Sequence, residues 1–159
     1  MNAPGRPLAV VLALLAACAG PASVARTAPP QRAVPAGKPA AADLDGPARV
    51  VVRSEAEWAE LWNRMYAGRG AKVPPRPQVD FSRHMVLFAT LGPRPGGYGA
   101  RIADVAIDGG VLQAAVVERR PEPRCTVPGQ RVAPAAIATV PRFDGPVRFA
   151  DRVDVQPCR

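Results

Sequence analysis

Between Ala19 and about Pro47 the chain is rich in alanine and proline and carries no aromatic residue. Such a segment buries too little apolar surface to offset its ordering entropy. Pro21, Pro29, Pro30, Pro35 and Pro39 further deny it helix and sheet. It reads as an extended spacer, reaching roughly 3 Å per residue where it is polyproline-like. Any fold must therefore come from residues 48–159, enough for one small domain.

The residues before the spacer look like an export signal. Residues 1–7 carry one positive charge, Arg6, and residues 8–17 are ten apolar residues in succession. A ten-residue helix spans about 15 Å, half of a bilayer core of roughly 30 Å, which is too short for a transmembrane span. The run ends in Leu15-Ala16-Ala17-Cys18, which resembles the lipobox of bacterial lipoprotein signal peptides. That resemblance implies cleavage after residue 17, with Cys18 becoming the lipid-modified first residue of the mature chain. Two or three acyl chains hold stably where one is marginal. Ala17-Cys18-Ala19 and Ser23-Val24-Ala25 also fit an ordinary secretory cleavage site. Ala19 after the cysteine, by similarity to lipoprotein sorting in two-membrane bacteria, implies the outer membrane, facing the periplasm or the cell surface. The layout expected is thus a signal peptide over 1–17, a disordered linker over 18–47 and a folded domain over 48–159.

Within that domain the clearest element is a helix. Ser54-Glu55-Ala56-Glu57 matches a capping box. Trp58, Leu61, Trp62 and Met65 follow as an amphipathic stripe, and Gly68 and Gly70 end it. Val50-Val51-Val52 before it is β-prone, and a proline-rich connection over residues 72–77 follows. Residues 85–91 form a continuous apolar run of strand length, read as a central strand buried on both faces. Residues 101–107 and 111–118 flank Asp108-Gly109-Gly110, a hairpin signal. A strand follows over residues 132–140, with Pro134 marking an edge or bulge. After the turn Asp144-Gly145-Pro146, residues 147–149 and 153–155 supply the last strand or strands. The expected class is α+β, one N-terminal amphipathic helix packed on a mostly antiparallel sheet of four to six strands.

With Cys18 assigned to lipid, Cys125 and Cys158 remain, and two cysteines in an oxidising compartment pair. The alternative, a nucleophilic Cys125, needs a base, and the one histidine, His84, has no sequence tie to it. A single histidine with widely spaced cysteines makes no zinc set. Asp104, Asp108, Glu118 and Glu122 read as solvated hairpin residues. None of Ser23, Ser54 and Ser82 sits in a nucleophile elbow. No enzyme, metal or cofactor is expected. The charge is +8, from 21 basic and 13 acidic residues, but the arginines are scattered, the tightest group being Arg119, Arg120 and Arg124. Without a basic run interleaved with aromatics, nucleic acid is not an expected partner, and weak attraction to anionic lipid headgroups fits better.

The most unusual segment is Gly92-Pro93-Arg94-Pro95-Gly96-Gly97-Tyr98-Gly99. It lacks the Gly-Lys-Ser/Thr ending of a phosphate loop. Prolines stiffen it, glycines allow positive φ or close approach, and Tyr98 offers one ring at the tip. It reads either as an interaction loop or as a plain turn whose Tyr98 tucks into the core. Several motifs around it occur in a familiar order: Arg53-Ser54-Glu55-Ala56-Glu57-Trp58 with Leu61-Trp62, Val79-Asp80-Phe81-Ser82, Gly96-Gly97-Tyr98 with Ile102, Pro121-Glu122-Pro123-Arg124-Cys125, and Val140-Pro141-Arg142. Together they resemble the PrcB C-terminal domain family over residues 49–149. Pro95 stands where the family loop often has threonine. The resemblance implies a non-catalytic accessory subunit that binds another exported protein, a protease among the candidates, with Arg94, Gly96, Gly97 and Tyr98 as the binding loop. Two alternatives stand beside it. Gly96-Gly97-Tyr98 is similar to the glycine-tyrosine loop of chagasin-like protease inhibitors, and a structural envelope lipoprotein needs no dedicated partner.

Overall fold

Seven consecutive residues, His84-Met85-Val86-Leu87-Phe88-Ala89-Thr90, organise the molecule, because from Met85 onward every one of them is buried. A strand's side chains alternate between two faces, so this one must be covered twice. The computed structural model describes residues 46–68 and 73–158, together with Leu44 and the pair Arg32 and Ala33. The signal peptide over 1–17, Cys18, Gly70, Lys72 and most of the linker lie outside the described residues. The elements in chain order are β1 (Arg32–Ala33), β2 (Ala48–Val52), α1 (Glu55–Met65), β3 (His84–Thr90), β4 (Gly99–Asp108), β5 (Val111–Pro121), β6 (Ala135–Pro141) and β7 (Val147–Gln156).

These strands form two sheets. The first runs β1-β6-β3-β2 and the second β4-β5-β7. In the first, β3 is antiparallel to both neighbours, with Val50 opposite Phe88 and Phe88 opposite Ile137. Helix α1 covers one face, where Trp58, Leu61, Trp62, Met65 and Tyr66 pack on Val52, Val86, Phe88 and Ile137. The second sheet covers the other face. There Met85, Leu87 and Ala89 of β3 and Ala136, Ala138 and Val140 of β6 meet Ile102, Val105, Leu112, Ala114 and Val116. The expected α+β arrangement of one helix on one sheet is therefore corrected. The fold is mostly β, two sheets face to face with one short helix outside the first. The reason is the double burial of β3, since an eleven-residue helix can cover only one side of it. Nor is the pairing antiparallel throughout. After Pro141 the chain crosses to the second sheet, where β7 lies parallel to β5 as one continuous ten-residue strand.

Local chemistry explains the elements themselves. Ser54 Oγ accepts from the Glu57 N–H, and Glu57 Oε2 accepts from the N–H groups of Arg53 and Ser54, completing the capping box. The proline-rich connection lies against the helix because the indole N–H groups of Trp58 and Trp62 donate to the carbonyls of Pro77 (2.9 Å) and Pro74 (3.1 Å). At the β4–β5 hairpin, Gly109 and Gly110 have φ of 55° and 75°, the pair of positive values a two-residue hairpin of the primed kind requires. Two residues of the expected spacer form β1 beside β6, and Leu44 packs with the helix-side core.

The Arg53 N–H chiefly holds the Glu57 carboxyl below its ordinary value of 4.5, helped by Ser54 and opposed by partial burial. A depressed folded pKa gives stability that is present above that value and lost as pH falls through the folded one. In urea unfolding at neutral pH the wild type should exceed Glu57→Gln in stability. That difference should shrink below about pH 4.5 and vanish once the carboxyl is protonated. A difference that stays constant with pH would mean the capping carboxylate is not the cause.

Candidate functional site

The chain leaves β3 through a segment that several bonds hold down. Thr90, fully buried, donates its hydroxyl to the Pro134 carbonyl at 3.2 Å and accepts from the Gly92 N–H. Gly92 takes φ 67°, and a Cβ there would come within 2.9 Å of the Gly46 carbonyl carbon, so the turn needs glycine. Arg94 then exchanges two backbone bonds of 2.8 Å with Val132, N–H to carbonyl in both directions. The Gly96 N–H donates to the Pro128 carbonyl at 3.1 Å, and a Cβ on Gly96 would lie 2.8 Å from the Pro128 side chain. Gly97 takes φ 85°, and a Cβ there would lie 3.1 Å from the Pro121 side chain and 3.4 Å from that of Val127. Gly99 then opens β4 opposite Arg119.

Of the four loop residues expected from the sequence, Arg94, Gly96 and Gly97 thus lie against a second segment, residues 121–134. Their exposures differ. Gly96 is buried, Gly97 is exposed, and Arg94 and Tyr98 are half-buried. Tyr98 belongs to neither core cluster. The Arg94 guanidinium donates to the Pro93 carbonyl and lies 3.9 Å from the Glu118 carboxylate, a long ion pair on a partly shielded surface. Within the loop Pro95 is exposed, and exposed Arg119 and Pro128 border it. Val132, Pro128 and Glu118, the residues that hold it, have no sequence signal marking them, since each acts across a long stretch of chain.

The second segment is itself tied down. Cys125 and Cys158 form a disulfide with their Cα atoms 5.3 Å apart, joining the segment to the end of β7. The Cys125 N–H donates to the Glu122 carbonyl, and the Glu122 N–H to Gln156. Among the described residues, Glu122, Cys125 and Cys158 are the metal-ligand types that converge. Both sulfurs are committed to the disulfide, which leaves no thiolate for a metal or for nucleophilic attack. His84 opens β3 opposite Pro141 and is not among the side chains gathered at Cys125. What the arrangement offers is a stiff surface, with an arginine, a tyrosine and prolines on a glycine-shaped backbone. No family model, curated protein or solved structure matches the chain.

The disulfide closes a loop across 33 positions, for which chain entropy gives a stabilisation of about 3–4 kcal/mol. Paired Cys125→Ser and Cys158→Ser substitutions should lower the urea unfolding free energy by about 2–4 kcal/mol. An unchanged midpoint would show that the bond staples nothing.

Proposed function

We propose that this chain is a non-catalytic envelope lipoprotein, held to a membrane through lipid on Cys18, whose domain binds another exported protein through the loop at residues 94–99. A protease is the leading candidate for the partner, on the strength of the resemblance to the PrcB C-terminal domain family. The observation that carries the reading is the preorganisation of the loop. Its backbone is bonded to Val132 and Pro128, a Cβ on Gly96 would clash, and one on Gly97 would strain the backbone. A loop already fixed in shape gives up little conformational entropy on binding. Tyrosine and arginine are the side chains that most often carry interface energy.

The test is an affinity pull-down from detergent-solubilised membranes with full-length wild type, Tyr98→Ala and Gly97→Ala, read by mass spectrometry. Tyr98→Ala removes a half-buried ring outside both cores, whereas Gly97→Ala strains the backbone at φ 85°. The expected result is an exported protein, a protease above all, that wild type retains and both variants lose. A partner retained equally by all three would remove the loop from the interface. Failure of every form to retain an exported protein would overturn the reading.

A further inference from the structure

The outer edge of β7 is an unpaired ten-residue strand edge, equal in length to that of β4 at the other side of the same sheet but free of the register shift that β4 carries between Ile102 and Val105. β7 closes the order β4-β5-β7, and no described strand lies on its far side. Natural sheets guard such edges with prolines, bulges or charged side chains, lysine above all. Residues 147–156 contain neither proline nor lysine, their register with β5 runs without a bulge over all ten positions, and their charges, Arg148, Asp151, Arg152 and Asp154, are two of each sign. Val153 and Val155 stand 54% and 46% exposed on this strand.

The direction of the free backbone groups follows from the bonds at the two ends. The Pro146 carbonyl accepts from the Leu112 N–H, and the Gln156 carbonyl from the Glu122 N–H, both 3.0 Å and both on the β5 side. Since backbone groups alternate along a strand, even-numbered residues face β5. Val147, Phe149, Asp151, Val153 and Val155 therefore turn their N–H and C=O groups to the open edge.

That edge is self-complementary. If a second β7 lies antiparallel with the two-fold axis at Asp151, Val147 faces Val155 and Phe149 faces Val153. Arg148 faces Asp154, and the symmetry repeats each of these pairs. Arg148 and Asp154 fall at the non-hydrogen-bonded sites, where opposing side chains come closest. The single like-charged contact, Asp151 with its own copy, is already compensated, because Arg49 of the same chain holds each Asp151 carboxylate at 2.7 Å. We propose that β7 pairs with β7 of a second copy of this chain, joining two three-stranded sheets into one of six with a closed two-fold interface. The loop at residues 94–99 takes no part in it.

The test uses the full-length chain in membranes, with one added cysteine at position 150, 151, 152 or 153 and mild oxidation. Only residue 151 meets itself across the axis, so Asp151→Cys should give the strongest disulfide-linked dimer on a non-reducing gel. In a second arm, Arg148→Asp in the Asp151→Cys background should cut the dimer by roughly fivefold, as expected when cross-strand attractions become repulsions. Adding Asp154→Arg should restore it, which separates pairing from any loss of folding. Equal bands at all four positions, a strongest band elsewhere, or no response to the charge reversal would each overturn the proposal.

Discussion

Everything in this molecule hangs on β3 being buried on both sides. Val86 and Phe88 on one face and Met85, Leu87 and Ala89 on the other are all fully buried. Burial of a Val, Leu, Phe or Met side chain stabilises by about 1.5–3 kcal/mol relative to exposure, somewhat less against a realistic unfolded chain. Even with that discount the strand outweighs the surface ion pairs, each contributing about 0–1 kcal/mol. The helix cannot leave without uncovering Val86 and Phe88, and the second sheet cannot leave without uncovering Met85 and Leu87. β3 also ends at Thr90, whose buried hydroxyl fixes the start of the loop. Core and candidate site are thus consecutive pieces of one chain.

The arginines acquire a structural reading in this light. Arg53 donates to the carbonyls of Phe143 and Gly145, Arg142 to those of Phe81 and Arg53, and Arg49 to those of Ala48 and Thr90. The planar guanidinium reaches several acceptors at once, so Arg53 and Arg142 fasten irregular connections that have no ladder of their own, while Arg49 ties the end of the β2–β3 ladder. Part of the positive charge therefore serves the fold, which weakens the case for reading the net charge as a footprint of a polyanionic partner.

How much of this was legible in the sequence follows from the range over which each interaction acts. The capping box at Ser54 and Glu57, the stripe from Trp58 to Met65 and the Gly109-Gly110 turn are local, and each is where its spacing places it. The double burial of β3 is also visible in its unbroken apolar run. What covers its second face is not, because that depends on β6 pairing with β3 while β4 and β5 move to another sheet. The parallel placement of β7 on β5 is non-local in the same way. At the loop, the glycines and Tyr98 stand out by composition, whereas Val132 and Pro128, which hold the backbone in place, do not.

A doubly buried strand thus leads into a loop whose shape its own backbone bonds set. Residue-resolved native-state hydrogen exchange tests both halves at once. The amides of Met85 to Ala89 should exchange only through global unfolding. Those of Arg94, Gly96 and Val132, each bonded across the loop, should be strongly protected. Loop amides exchanging at the rate of an unstructured chain while β3 stays closed would contradict this.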